Sequence, residues 1–288
     1  MFNNLTEQGI KIIIQLINVS EGFFMFNNNF HTHTRYCDGK NTPEEMVLSA
    51  IELGFDSLGF SGHAYTDIDL SYCMTPEKTK EYIAEINALK KKYAGRIKIY
   101  CGTELDFYSP DLGYDYDYTI GSVHYLYAGN EYTPVDSSAK IQLEATEKYF
   151  GGDYMSYAEK YFETVSQVAE KLKPDIIGHF DLVSKFNEDD CMFDSQNPRY
   201  VRAWQEAALK LIGAGIPFEI NTGAIARGAR KTPYPSLEIA QFINDNGGSF
   251  IVTSDCHNRN FLDCAFDYVK EKYSGFRLVD FEPGKYNK

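Results

Sequence analysis

Hydrophobic runs alternate along the chain with stretches of helical periodicity. Seven short runs predict β-strands: FNNNFHTH, DSLGFSGH, IKIYCGTEL, YDYTIGSVH, DIIGHF, PFEINTG and SFIVTSDCH. Five longer amphipathic stretches predict helices: Pro43 to Leu53, Pro76 to Tyr93, Tyr154 to Leu172, Pro198 to Ile212 and Pro235 to Asn246. This alternation is typical of βα units around a parallel sheet. We therefore predict an α/β fold, a distorted (β/α)7 TIM-like barrel, in which chemistry lies at the C-terminal ends of the strands.

The length and composition favour one domain. With 288 residues, 43% of them hydrophobic, the chain can bury a sizeable core. Glycine and proline are not concentrated in a linker, so we predict a single barrel domain over residues 25–288. The letters MFNN occur at Met1 and again at Met25. Residues 1–24 are therefore predicted to be an appendage, either an over-called start or an extra helix packed on the domain.

Charge, the length of the apolar runs and cysteine usage disfavour several classes of protein. The formal charge of −13 disfavours a general nucleic-acid binder, because it repels a phosphate backbone. The apolar run KIIIQLI is too short to span a membrane. Six cysteines without a CxxC pair indicate a reducing compartment. We predict a cytoplasmic protein without nucleic-acid or membrane partners, and the oligomeric state stays open.

Every histidine of the chain lies at or just past the end of a predicted strand. There are six of them: His31, His33, His63, His124, His179 and His257. Three carboxylates share that location: Asp38, Glu104 and Asp255. A single core histidine is usually a hydrogen-bonded structural residue, but unrelated structural histidines have no reason to share one end of a barrel. We predict that these nine side chains converge on a metal site.

Strand geometry and ligand chemistry refine this prediction. Side chains alternate along a strand, so His31 and His33 point to one face and Asp255 and His257 share a face. Imidazole and carboxylate ligands suit zinc, manganese or iron, and nine groups suit two or three divalent ions. Glu104 is the most plausible bridge between neighbouring ions. Cys37 lies near the site, and its role stays open.

The order of the motifs resembles a known family. HTHT, SGH, a glutamate after the third strand, SVH, GHFD and SDCH occur in the order found in the polymerase and histidinol phosphatase (PHP) metallohydrolases. Within that family, HTHTRYCDGKNTPEEM, YFGGDYMSYAEKYFETV and the length are similar to the histidinol-phosphate phosphatases. The resemblance implies a hydrolase that converts L-histidinol phosphate, a small phosphate monoester, to L-histidinol and phosphate in histidine biosynthesis.

The resemblance also implies how the metals are held. One ion would be bound by His31, His33, Glu104 and Asp255, and a second would share Glu104 with His124 and His179. A third would take Asp38, His63 and His257, with Asp38 the ligand whose match depends most on loop length. A metal-bridging hydroxide would attack phosphorus, so no side chain acts as the nucleophile.

Several polar residues are candidates for substrate binding. Arg227, at the end of the sixth predicted strand, is the first candidate phosphate clamp, and Arg35 is the second. Arg230 is predicted to be a surface charge. Asp67 and Asp181 are predicted either to meet the ammonium group of an amino alcohol substrate or to act as a helix cap or a partner of the nearby histidine.

Three alternatives remain. The first is a PHP phosphodiesterase or nuclease acting on another phosphate ester, and the second is a barrel that binds metal without turnover. The third is a metal-dependent amidohydrolase, which also has HxH after its first strand. That class generally has a bridging lysine and an eighth strand, and neither is evident in this sequence.

Overall fold

The computed structural model describes residues 26–284. Its strands are β1 Asn28–Asn29, β2 Ser57–Phe60, β3 Lys98–Asp106, β4 Tyr118–Ser122, β5 Tyr125–Ala128, β6 Glu131–Pro134, β7 Ile176–Ile177, β8 Phe218–Asn221 and β9 Phe250–Thr253. Its α-helices are α1 Pro43–Glu52, α2 Pro76–Lys92, α3 Ala139–Phe150, α4 Tyr154–Val165, α5 Val168–Leu172, α6 Pro198–Gly213, α7 Gly223–Ala226, α8 Leu237–Asp245 and α9 Phe266–Lys272. The predicted appendage, residues 1–24, lies outside the described residues, so it stays a prediction.

Seven of the described strands form one parallel sheet in the order β1-β2-β3-β4-β7-β8-β9. The first and last strands meet beyond their ends, where Thr32 pairs with Cys256. His33 N donates to the carbonyl of Cys256 over 2.8 Å, and Cys256 N donates to the carbonyl of His31 over 3.0 Å. The sheet is thus a nearly closed barrel with helices around it, which confirms the predicted (β/α)7 TIM-like fold.

A tyrosine fills the barrel interior. The side chain of Tyr118 is buried, and its hydroxyl donates to the carbonyls of Phe30 over 2.6 Å and of Phe60 over 3.0 Å. The neighbouring strand makes room for the ring with Gly102, because a Cβ there would lie 2.5 Å from the ring. The ring of Phe281 packs against those of Phe30 and Tyr118, with centroids 4.9 and 5.8 Å apart. Aromatic side chains therefore fill this part of the barrel interior.

Helix boundaries follow local capping. Thr42 caps α1 in a capping box: its hydroxyl accepts from the Glu45 backbone, and the Glu45 carboxylate accepts from the Thr42 backbone. The helix predicted from Pro235 begins instead at Leu237, because Ser236 stays extended as its N-cap. The helix predicted from Tyr154 to Leu172 is two helices, α4 and α5, separated by two residues.

Five of these strands and α-helices were not predicted: β5, β6, α3, α7 and α9. Strands β5 and β6 form an antiparallel hairpin directly after the fourth barrel strand, and α3 follows it.

Between residues 26 and 284, no helix has the length and apolar content that crossing a bilayer requires.

Candidate metal centre

The side chains predicted as metal ligands lie together at the C-terminal end of the barrel. Seven of them line one cavity of about 330 Å³: Asp38, His63, Glu104, His124, His179, Asp255 and His257. His31 and His33 are fully buried beneath it. The structure therefore brings all nine groups into one place, although their loops are far apart in sequence.

His31 and His33 are held by the closure of the barrel and aim their Nε2 atoms at a common space. The Nε2 atom of His31 lies 3.2 Å from Glu104, and that of His33 lies 3.2 Å from Asp255. Both Nε2 atoms and Oε2 of Glu104 are buried without a hydrogen-bond partner among the described residues. Buried polar atoms without partners are costly, and a cation between them would satisfy them together. These residues therefore fit a metal ion.

Glu104 is the centre of the cluster. Its carboxylate oxygens lie 2.9 to 3.6 Å from ring nitrogens of five histidines: His31, His33, His63, His124 and His179. Ser122 also donates its hydroxyl to Oε1 over 2.7 Å. A carboxylate in contact with so many ligands is suited to bridge two ions.

The groups that could hold single ions differ in part from the predicted partition. His31, His33 and Asp255 form one group, as expected for the first ion. His63, expected only with the outer ion, forms a second group with Glu104 and His124. The geometry thus places His63 between the inner and outer positions.

The outer group is built on the loop after the first strand. Asp38, His63 and His257 form it together with His33. His257 Nε2 lies 3.1 Å from Asp38, and Lys40 N donates to the carbonyl of His257 over 2.8 Å, which ties this loop to the last strand. These contacts bring Asp38 to the site despite its exposed position.

Cys37 lies beside this outer group. Its Sγ is 3.6 Å from Nδ1 of His33. Burial raises the pKa of the Cys37 thiol to about 12, so it stays protonated at neutral pH. The thiol is therefore a neutral neighbour of the cluster.

Asp255 reaches the site through an unusual backbone conformation. Its φ is +44°, in the left-handed region that few residues other than glycine adopt. Gly223 packs against it so closely that a Cβ there would lie 2.7 Å from Cβ of Asp255. The small residue at the start of α7 is therefore required for the position of this carboxylate.

The electrostatics of the cluster keep its carboxylates ionised. Burial alone would raise the pKa of Glu104, but the surrounding histidines hold it well below its ordinary value. Burial would likewise raise the pKa of Asp255, but Arg227 and the histidines hold this pKa well below its usual range. Burial and two neighbouring histidines lower the pKa of His33 to about 3, which keeps the imidazole neutral, as metal binding requires.

A buried glutamate that the sequence analysis missed orients two of the histidines. His31 Nδ1 donates to Glu219 over 2.6 Å, and the backbone N–H of His179 donates to its other oxygen over 3.0 Å. Carboxylates commonly hold the second nitrogen of a metal-binding histidine in this way. Asp106 accepts the backbone N–H of His124 over 2.8 Å, whereas Nδ1 of that ring, 3.4 Å from Asp106, has no hydrogen-bond partner among the described residues.

Of the two arginines predicted to bind phosphate, one lines the cavity. Arg227 donates to Asp255 Oδ2 over 3.0 Å and to its carbonyl over 3.2 Å, and Nη1 lies 3.2 Å from His257. Arg35 is exposed and does not line the cavity.

Three other predictions about polar residues need correction. Arg230 is not a surface charge: its side chain is only 7% exposed, donates to Ser184 and stacks over a tyrosine ring. Asp181 is buried and does not line this cavity, and its carboxylate accepts from the N–H of Ser236, the residue before α8, and does not cap the helical turn that follows Asp181. Asp67 is exposed and bonded to Tyr65, so neither predicted role fits it.

The remaining cavity wall comes from three segments that the motifs did not indicate. Asp69, Ser71 and Tyr72 follow the second barrel strand, and Tyr125 begins the unpredicted hairpin. After the hairpin come Asp136 and Ser137, and Lys185 faces them. The substrate-facing wall is therefore made largely by loops.

Together, the barrel and the converging imidazole and carboxylate groups define a TIM-like barrel protein with a metal-binding centre at its strand ends. Comparison with known families gives a match to the PHP domain over residues 29–223. The chain belongs to the PHP domain family. The resemblance drawn from the motifs HTHT to SDCH is thereby confirmed.

Individual relatives agree with this assignment. The chain is 31% identical over 268 residues to a probable histidinol-phosphatase of Deinococcus radiodurans, a match that covers 88% of this chain and 96% of that protein. It is 26% identical over 274 residues to the histidinol-phosphatase of Bacillus subtilis, covering 84% and 97%. A crystal structure of histidinol phosphate phosphatase from Lactococcus lactis, complexed with zinc, L-histidinol and phosphate, shares the fold with a TM-score of 0.67 at 19% identity, covering 89% and 97%.

Proposed function

We propose that the protein is a metal-dependent phosphomonoesterase that hydrolyses L-histidinol phosphate to L-histidinol and phosphate. The observation that carries this proposal is the convergence of six histidines and three carboxylates on one cavity of a PHP barrel. The names of the full-length relatives supply the substrate. We place the reaction in cytoplasmic histidine biosynthesis, with two or three zinc, manganese or iron ions as cofactors.

The residues divide into two roles. We assign metal binding to the nine side chains around Glu104: His31, His33, Asp38, His63, Glu104, His124, His179, Asp255 and His257. When bound there, divalent ions supply positive charge to the phosphoryl group and lower the pKa of water toward neutrality. The chain would hold these ions in fixed positions, because Glu219 accepts from the ring of His31 and from the backbone of His179, and Asp106 accepts from the backbone of His124.

The substrate profile tests this proposal. Steady-state phosphate release would be measured with enzyme loaded with manganese, zinc or iron, for L-histidinol phosphate, a panel of other monoesters and a diester. We expect kcat/KM for histidinol phosphate to exceed that for the panel at least ~100-fold, about 2.7 kcal/mol of discrimination. A flat profile would leave the metal centre intact and overturn the substrate. A preference for the diester would instead favour the phosphodiesterase alternative.

We assign Arg227 to the phosphoryl group. Its guanidinium lies beside Asp255 and His257 with its side chain 36% exposed to the cavity, where a planar fork of donors matches phosphate oxygens. Lysine keeps the charge and loses the fork.

Arg227→Lys is therefore expected to lower kcat/KM for histidinol phosphate by at least about tenfold, the value of one charged hydrogen bond. Metal content, measured by mass spectrometry, should remain that of the wild type. Arg259→Lys is the matched control, because Arg259 is exposed beside Glu45 and does not line the cavity. Wild-type kinetics for Arg227→Lys would contradict the assignment.

A further inference from the structure

One wall of the cavity carries carboxylates that are not assigned as metal ligands. Beyond the three carboxylates assigned to metal, two acidic residues of the described chain line the cavity, Asp69 and Asp136. Asp136 is already paired, since Nζ of Lys185 lies 3.1 Å from its Oδ2 and donates to its carbonyl over 2.8 Å. The two carboxylates therefore differ in whether a cation accompanies them.

Asp69 has no ion pair with any lysine, arginine or histidine between residues 26 and 284. Its Oδ1 accepts the backbone N–H of Ser71 over 2.8 Å, and its Oδ2 accepts the hydroxyl of Tyr125 over a long 3.4 Å. Hydrogen bonds from Ser71 lower the pKa of Asp69, so the carboxylate is charged at neutral pH. One oxygen is thus fixed by its own turn, and the other faces the cavity with spare capacity to accept.

The aromatic residues beside Asp69 connect it to the metal centre. The ring of Tyr72 lies 4.8 Å from that of His63 and 6.3 Å from that of Tyr125, and the Tyr125 hydroxyl contacts Asp69. A substrate bound at the metal ligands would therefore have two tyrosine rings and a carboxylate beside it in the same cavity. Tyrosine faces favour cations and flat rings, and the carboxylate favours an ammonium group.

We propose that Asp69 is a specificity residue that binds the ammonium group of an amino alcohol phosphate, with Tyr72 and Tyr125 beside the bound cation. This inference rests on the proposed function, because it assumes a phosphomonoester held at the metal centre. In histidinol phosphate two carbon atoms separate the ammonium from the ester oxygen, so an ammonium group of a substrate held at the metal centre would lie in the same cavity as Asp69. Asp69 takes the role that the sequence predicted for Asp67 or Asp181.

Asp69→Asn tests the proposal with little disturbance, because asparagine retains the oxygen that accepts from Ser71. We expect kcat/KM for L-histidinol phosphate to fall about tenfold, mainly through KM, since the lost contact is one charged hydrogen bond. The inhibition constant of L-histidinol should rise by a similar factor. The deamino analogue of the substrate has the imidazole and phosphate without the ammonium. Its kcat/KM should change less than about twofold in Asp69→Asn.

Asp67→Asn is the matched control, because it removes the same charge from an exposed position two residues away that does not line the cavity. This variant should have the wild-type kcat/KM for both histidinol phosphate and the deamino analogue. An equal loss on the two substrates in Asp69→Asn, or no loss on either, would overturn the proposal.

A second substrate pair separates this proposal from the proposed function. Wild-type enzyme and Asp69→Asn would be compared on 2-aminoethyl phosphate and ethyl phosphate. One outcome is that the wild type does not favour histidinol phosphate but prefers 2-aminoethyl phosphate to ethyl phosphate, and that this preference disappears in Asp69→Asn. In that case Asp69 binds the ammonium group, and the assignment of histidinol phosphate as substrate is wrong. The other outcome is that the wild type favours histidinol phosphate and Asp69→Asn still prefers each substrate with an ammonium group to its analogue without one. In that case the proposed function stands, and the assignment of Asp69 to the ammonium group is wrong.

Discussion

Glu104→Gln is expected to reduce phosphate release from histidinol phosphate by at least about 10³-fold at saturating metal. Glu104 contacts five histidines of the cluster, and its carboxylate is the group best placed to bridge two ions. Glutamine removes the charge and one acceptor while keeping the shape. The positive charge of the metals is worth several kcal/mol to the transition state, so losing one ion or its position costs a factor of this size.

Two measurements accompany the assay of Glu104→Gln. Metal content by mass spectrometry should fall by at least one ion per chain, and the thermal midpoint should show that the variant is folded. Glu163→Gln is the matched control, because Glu163 is exposed and, among residues 26–284, forms an ion pair only with Lys160 in its own helix. Full metal content together with more than a tenth of the wild-type activity would contradict the assignment of Glu104 as a bridge.

The success of the sequence analysis has a physical reason. Parallel strands of a barrel bring their C-terminal ends to one side, so a histidine after each strand must meet the others there. That rule placed His124 and His179 in the same site although 55 positions separate them in the chain. The motif order then identified the family, because each motif was attached to its own strand.

The residues that were missed belong to two kinds of position. Glu219 lies in a short strand, and its parity, opposite to that of Phe218 and Ile220, would have indicated that it points into the barrel. The same rule would have placed Asp106 on the face of Glu104. No such rule exists for Asp69, because its place depends on the path of a loop that only packing against the unpredicted hairpin defines.

The corrected residues show the same limit. Arg230 follows the sixth predicted strand in a polar stretch, ARGARK, that reads as solvent-exposed. Folding buries its side chain because the turn after α7 packs Arg230 over Tyr234 and against Ser184. The sequence of a loop shows which of its residues are polar. Whether they are buried depends on contacts with segments that are distant in the sequence.

Glu219→Gln is expected to weaken metal binding by about 10- to 100-fold and to lower the free energy of unfolding by about 1–3 kcal/mol. One oxygen of Glu219 accepts from His31 over 2.6 Å and from Thr253 over 3.0 Å. The other accepts from the N–H of His179 and from the amide of Asn221, both over 3.0 Å. A glutamine amide must turn its NH2 toward one of these donor pairs, so either His31 or His179 loses its anchor.

Metal affinity would be measured by competition with a chromogenic chelator, and stability by denaturant unfolding of the metal-free and metal-loaded proteins. Thr253→Val is the matched variant, because it removes one hydrogen bond to Glu219 but leaves the charge and the contact with His31. It should lower stability with less than about a threefold change in metal affinity. If Glu219→Gln lowers stability and binds metal like the wild type, Glu219 supports the barrel alone, and the orientation of His31 must come from the backbone closure between the first and last strands.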